Sequence, residues 1–358
     1  MNHIYRSIWN SATGTCVATS ELASAKGQAA SATSTQCEGR IQTFRCKKFA
    51  VAVMLACSVL AQAEPIGGVV TAGSVSVGGP ASHMTVTQTT ARAAINWQSF
   101  GIKAGESVQF IQPSSSSVAL NRVIGPDASV ILGRLSSNGQ VFLVNPSGIL
   151  FGAGASVNVG GLVASTLNIS NADFMAGHYR FTGAGTGTVV NQGNLRAADG
   201  GYIALLGGSV NNQGVVIAQL GTVAMAAGNA ITLDVSGDQL LNVAIDQGAA
   251  NALVTNGGWL QADGGKVLMS TQVAGNLLTN AVNTTGVVQA RTLENHNGTI
   301  LLMGSKETGT VSVGGTLDVR RLGPDRRSGG GDGVSLGLDQ CTDQCLWGCG
   351  RRHGVGGG

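Results

Sequence analysis

The sequence predicts an all-β fold, a right-handed parallel β-helix (a solenoid) with N-terminal capping strands, and three observations lead there. Charge is scarce: 11% of the 358 residues are charged and 4% aromatic, where an ordinary domain carries about 25% charged residues. Glycine is abundant, 55 against 6 prolines, yet hydrophobic residues reach 43%, mostly Val, Ile, Leu and Ala. That aliphatic content can bury a core, which sets disorder aside. Finally, a motif of apolar residue, Asn, Gly, apolar residue and Ala recurs along the middle of the chain.

The repeats are Val190-Asn191-Gln192-Gly193 leading to Ala197, and Val210-Asn211-Asn212-Gln213-Gly214 leading to Ala218. Asn256-Gly257-Gly258 leads to Ala262, and Asn283-Thr284-Thr285-Gly286 to Ala290. Their last glycines stand 21, 44 and 28 residues apart, so one or two coils of roughly 20–28 residues fit each gap. Each unit then carries a short apolar strand, at 202–206, 223–227, 266–269 and 299–302. Runs of that length between Gly and Asn read as strands, because both residues tolerate left-handed turns. No glycine-free stretch of the body keeps a 3.6-residue period, so a helical solenoid is excluded, and the propeller signatures are missing. The body should form on the order of ten coils, a rod of roughly 50 Å. The less repetitive Met84-Thr85-Val86-Thr87 and Ala94-Ile95-Asn96-Trp97 are the candidate N-terminal cap, since exposed strand edges need covering.

Charge and cysteine divide the chain in three. Residues 1–63 carry six Lys/Arg against two Asp/Glu, and the tail from Arg320 six against four. Residues 65–319 carry nine basic and eleven acidic side chains and no cysteine. Without clustered Lys/Arg the body is no nucleic-acid binder, and without cysteine it must stand on packing alone. The division expected is 1–63 as an extended signal peptide, 64–319 as the β-helix, and 320–358 as a disordered or aberrant tail.

The N-terminus is an address. Arg45, Lys47 and Lys48 precede an apolar run over 49–60, then Ala61-Gln62-Ala63 before Glu64. A basic region, a short apolar region and an A-x-A site make a secretory signal, cleaved after Ala63 by this reading and exported through the Sec machinery. The run is too short to cross a bilayer, which takes about 20 residues. A lipoprotein signal about Met54-Leu55-Ala56-Cys57 is the alternative. The long segment ahead, opening Met1-Asn2-His3-Ile4-Tyr5-Arg6-Ser7-Ile8-Trp9-Asn10 and continuing to Ser20-Glu21-Leu22, resembles the extended signal-peptide region of very large Gram-negative exoproteins. Lys26 stands nearly alone where relatives have several basic residues.

Between 95 and 169 the sequence resembles the haemagglutination-activity, or two-partner secretion, domain of filamentous-haemagglutinin-type exoproteins. The residues that carry the likeness include Ile95-Asn96-Trp97-Gln98-Ser99-Phe100 and Val118-Ala119-Leu120-Asn121-Arg122-Val123. They continue as Asn138-Gly139-Gln140-Val141-Phe142-Leu143-Val144-Asn145-Pro146-Ser147-Gly148-Ile149, then Val157-Asn158-Val159-Gly160-Gly161-Leu162. The resemblance implies a surface adhesin or haemagglutinin whose secretion domain is read by the periplasmic domains of an outer-membrane transporter. It also implies a longer rod than this chain contains, hence a truncated chain, with host surface glycans or proteins as further partners. The family tetrad Asn-Pro-Asn-Gly stands here as Asn145-Pro146-Ser147-Gly148, the residues expected to meet the transporter, with Asn145 presented outward. Asn, Pro and Gly suit positions i, i+1 and i+3 of a type I turn, and a plain turn between coils is the alternative. A second tetrad, Asn-Pro-Asn-Leu, has no match; Asn121 lies in its neighbourhood and joins the expected contact residues.

A β-helical polysaccharide-binding or -degrading protein is the runner-up. Such enzymes need clustered carboxylates, whereas those of the body are scattered, Asp234 and Asp238 being the nearest pair, and His83, His178 and His296 are isolated. Catalysis, a cofactor and a metal are therefore not expected. Cys341, Cys345 and Cys349 do not match zinc-ligand spacing. Their tail abandons the repeat and reads as unrelated or frame-shifted sequence.

Overall fold

The computed structural model describes residues 5–10, 15–20, 65–183, 187–235, 240–273, 280–293, 296–304 and 310–322. The chain divides into two units, Met1–Val59 and Leu60–Gly358. In the first, strands Tyr5–Asn10 and Thr15–Ser20 pair as an antiparallel hairpin.

The second unit is a three-sided parallel β-helix. Each coil passes through a ten-stranded, then a nine-stranded, then a seven-stranded sheet. One coil runs Ser156–Val159, Gly161–Ser165 and Thr188–Asn191 before Asn194–Ala197 begins the next. Strands of successive coils pair in parallel and in register: Gln140 lies beside Val118, and Gly161 beside Gln140, 22 and 21 residues on. The ten-stranded sheet buries one face, so its strands alternate, as in the exposed–buried pattern of Ser156–Val159 and Asn194–Ala197. Its inward column Val108, Leu135, Val157, Leu195, Val216, Leu260 and Val288 is buried throughout. Each such side chain contributes about 1.5–3 kcal/mol of burial.

The four strands read from sequence are present as Tyr202–Gly207, Thr222–Ala227, Lys266–Thr271 and Thr299–Met303, all in the nine-stranded sheet. Tyr202–Gly207 and Thr222–Ala227 are buried at every residue. Such strands lose polar alternation because both faces are covered. The outward face carries a second core, roofed by helix Asn171–Ala176 and an antiparallel sheet of Tyr179–Thr182, Ala230–Val235 and Leu241–Gln247.

The recurring Asn and Gly make one corner. Gln213 and Gly214 both donate backbone N–H to the Asn191 carbonyl, Gly257 and Gly258 to that of Asn212. Thr285 and Gly286 donate to Asn256, and Gly314 and Gly315 to Thr284. Behind these turns a buried amide ladder runs up the coils. Asn191 Nδ2 donates to Asn212 Oδ1 at 2.8 Å, Asn212 to Asn256 at 2.8 Å, and Asn256 to Thr284 Oγ1 at 3.1 Å. The amides of Asn191, Asn212 and Asn256, all fully buried, thus each donate within the ladder, as buried polar groups require.

Several expectations are corrected. The gap of 44 residues is one coil, since Ser209 lies beside Leu253; its extra length holds the two antiparallel roof strands Ala230–Val235 and Leu241–Gln247. Among the described residues the nine-stranded sheet holds eight parallel strands besides antiparallel Val69–Ala72, and the ten-stranded sheet nine besides antiparallel Val75–Gly78, in line with the order of ten coils expected. The proposed cap residues belong to the first parallel coil, because His83–Gln88 and Arg92–Trp97 pair in parallel with the coil above. The cap is one hairpin earlier, with Val69–Ala72 and Val75–Gly78 lying antiparallel against that coil. Strand pairing continues just past residue 319. Arg321–Leu322 pairs with Thr292–Leu293, and Arg320 Nε donates to Asp318 Oδ1 at 2.9 Å. Residues 323–358, with Cys341, Cys345 and Cys349, lie outside the described residues.

Asp263 fastens the last coils. Its carboxylate accepts from Gln261 at 2.8 Å, Gln289 at 2.7 Å, and the Arg291 backbone and Nη2 at 2.9 and 3.0 Å. Burial raises its pKa, but the bonds from Arg291, Gln261 and Gln289 outweigh it and hold the carboxyl below its usual range. The clasp is therefore intact above the ordinary carboxylate pKa, about 3.9, and is lost as pH falls through the lower folded value. Urea unfolding from pH 6 to pH 3 should reveal an acid-induced loss of stability that Asp263→Asn reduces; equal pH slopes in both proteins would remove this role. At the corner, a Cβ on Gly258 would collide with the Gly214 carbonyl, whereas one on neighbouring Gly257 meets nothing nearer than 3.8 Å. Gly258→Ala should cost about 1–3 kcal/mol in thermal unfolding, with Gly257→Ala near neutral. Equal losses would mean that coil spacing is not what selects glycine.

Candidate partner-recognition site

The tetrad joins Gln140–Val144 of one sheet to Ile149–Phe151 of the next. Gly148 N–H donates to the Asn145 carbonyl at 3.1 Å, closing the turn, and Gly148 takes φ +122°, which favours glycine. The expected outward display of Asn145 is wrong. The side chain is fully buried: Nδ2 donates to the Asp127 carbonyl and Ser129 Oγ, both at 3.0 Å, and Oδ1 accepts from Ser147 N at 3.0 Å. Burial of an amide is tolerable only with such partners, so the coil below takes the side chain that was expected to face solvent. Pro146 and Ser147 are the exposed members; Gly148 is buried. Gly187 lies against this turn, donating to the Pro146 carbonyl at 3.3 Å.

Asn121 is also corrected. It sits in the inward column between Ile95 and Leu143, fully buried. Oδ1 accepts from Trp97 Nε1 at 3.0 Å, and Nδ2 donates to the Phe142 carbonyl at 3.4 Å. An indole buried at this point needs a partner for its N–H, and Asn121 supplies it. No partner protein can reach it in the folded domain. The sequence held the signal: Ala119, Asn121 and Val123 share one face by strand alternation.

Arg122, on the opposite face, was missed. Its Nε donates to Asn168 at 2.9 Å, and its Nη1 to Asn96 at 3.1 Å and Asn171 at 2.8 Å; Nη2 donates to the Ile169 carbonyl. Asn171 in turn donates to Thr71 Oγ1 at 3.0 Å, which ties the cap to the roof helix. Partial burial lowers the Arg122 pKa. Nearby, Arg92 Nη1 reaches the Met175 carbonyl at 3.5 Å, while its Nε is buried with no hydrogen-bond partner among the described residues. No periodic or spacing signal marks either arginine.

Among the described residues no three His, Cys, Asp or Glu side chains gather to hold a metal. Ala61, Ala63 and Glu64 lie outside the described residues.

Residues 61–319 match the family described as the TPS secretion domain, and residues 1–44 match the extended signal peptide of the type V secretion system. The heme/hemopexin-binding protein of Haemophilus influenzae strain Rd is 33% identical over 248 residues, 66% of this chain and 27% of that protein. A second Haemophilus influenzae heme/hemopexin-binding protein is 43% identical over 102 residues, 28% of this chain and 11% of that protein. The chain therefore spans 27% or less of the length of these curated relatives. The crystal structure of the HMW1 secretion domain from Haemophilus influenzae superposes with a TM-score of 0.63 at 30% identity, over 71% of this chain and 66% of that one. The parallel β-helix, the secretion-domain match over most of the chain and the extended signal peptide agree. This chain belongs to the TPS secretion domain family, the domain of two-partner-secreted exoproteins that leave Gram-negative cells by way of the periplasm and an outer-membrane transporter.

Proposed function

We propose that the outer-membrane transporter reads this domain at the crest formed by Pro146 and Ser147, with Asn145 and Gly148 holding the crest in shape and Asn121 acting only through the core beneath. The observation that supports this is the inward lock of Asn145, which leaves Pro146 and Ser147 as the exposed pair on a turn of fixed geometry. A turn already fixed before binding loses little conformational entropy on contact, which favours recognition. The reading keeps residues 1–63 as the exported leader, passed through the Sec machinery, and starts the domain at Glu64. The domain ends at residue 319, with residues 320–358 as its tail. The domain performs no catalysis of its own, and the larger exoprotein acts as a surface adhesin toward host glycans or proteins.

Two measurements test it. In a pull-down with the periplasmic domains of the co-encoded transporter, the double variant Pro146→Ala, Ser147→Arg should bind at least tenfold more weakly at an unchanged melting temperature. Asn145→Ala should instead lower stability by about 1–3 kcal/mol, the cost of orphaned buried partners. Wild-type binding and secretion by the crest variant would reduce the tetrad to a corner of the β-helix. N-terminal sequencing of the secreted form should begin at Glu64; lipid attached to Cys57 would replace this cleavage site with the other.

A further inference from the structure

The second apolar core sets the order in which this solenoid can form. Along the outward face of the nine-stranded sheet, Ala94, Leu120, Phe142, Val163, Ala204 and Ala224 are all buried. They are covered by Phe174 of the helix, Phe181 of Tyr179–Thr182, Ile231 and Leu233 of Ala230–Val235, and Leu241. Phe142 stands at the centre, its ring 5.9 Å from Phe174, 5.0 Å from Tyr179 and 6.1 Å from Phe181. The covering sheet is built from two separate insertions. Tyr179–Thr182 has four residues and pairs as a strand with Ala230–Val235, Tyr179 beside Leu233 and Thr182 beside Ala230; its other edge holds one bridge, from Thr182 to Asn168.

Neither insertion has an independent source of stability. A four-residue strand with one neighbouring strand and one bridge is marginal alone, and a two-stranded hairpin needs a surface to pack on. The coils beneath have the opposite deficit, since without the roof their outward Leu120, Phe142 and Val163 face water. The Thr71–Asn171–Arg122 contacts bind the same roof to the cap.

We propose that the two insertions act as a closing strap, so that residues 94–247 gain stability in one cooperative step and not coil upon coil. The coil beyond it, at Thr299–Met303, opens separately. Leu268 is the last of the second core to be fully buried, while Leu301 and Met303 are only partly covered. Nearest-neighbour additivity, the rule for plain solenoids, therefore holds only past the strap.

Native-state hydrogen exchange on the full chain tests this. Leu233→Asp should speed exchange at least tenfold in Arg92–Trp97, Val118–Val123 and Gln140–Val144, although none of these strands pairs with residue 233. It should leave Thr299–Met303 within twofold. Val288→Ala, an inward residue of a late coil, should accelerate Val287–Gln289 and Thr299–Met303 and spare Arg92–Trp97. Where Leu233→Asp yields no folded protein, Ile231→Ala decides by the same pattern, at threefold or more. Acceleration confined to Tyr179–Thr182 and 230–247 would overturn the strap, and so would equal spreading from Val288→Ala into the first coil.

Discussion

The structure depends on how closely one coil's corner can approach the next. From Gln213-Gly214 onward, four successive turns each place two backbone N–H groups on a single carbonyl of the coil before, and that spacing leaves no room for a Cβ at the second turn residue. Glycine follows at 214, 258, 286 and 315, and the asparagine amides fill the space behind them. Once the corners stack, strand register is fixed on all three sides, and with it which side chains point inward. Sparse charge is a consequence as well. A column of identical charges about 4.8 Å apart would repel along its length; the outward column Thr85, Gln109, Ser136 and Asn158 of the ten-stranded sheet is uncharged, and the Asp263–Arg291 pair alternates sign between coils.

This corner was the legible part of the fold. The Asn-Gly repeats located it, and the apolar runs after it located the strands of the nine-stranded sheet. The strap was not legible, because Ala230–Val235 and Leu241–Gln247 carry ordinary strand sequences. Nothing in such a run says whether it stacks in parallel or folds back on itself. The usable sign was negative: between Gly214 and Gly258 the Asn-Gly corner does not recur, so no coil could close there. The cap was placed one hairpin late for a similar reason, since antiparallel Val75–Gly78 and parallel His83–Gln88 both alternate. Leu220 marks the limit of glycine as a guide. It takes φ +55° at the coil position held by Gly200 and Gly264 in the neighbouring coils.

For the candidate site, the sequence identified the turn but not the direction of its side chains. Asn145 and Asn121 are polar, so surface contact was the natural expectation, yet both are spent inside the coil on bonds to Ser129, Asp127 and Trp97. In a β-helix a buried Asn at a strand end is a joint, and the same residue type that signals a loop elsewhere signals a core position here. What a partner can touch is what the joint pushes outward. In this turn that is a proline ring and a serine, a small and uncharged pair, consistent with recognition by shape more than by charge.

The two cores together bear on how a weakly charged body without cysteine reaches a single fold. Inward ladders of Val, Leu and Ile are nearly interchangeable between coils, so a slip of one coil would cost the inner core little. The outer core does not permit that slip. Phe142 meets Phe174, Tyr179 and Phe181 in only one register, and Arg122 finds Asn96, Asn168 and Asn171 together in only one. The repeats supply most of the buried area, and the non-repeating strap specifies which coil lies where. Specificity resides in the irregular insertions because identical rungs cannot supply it.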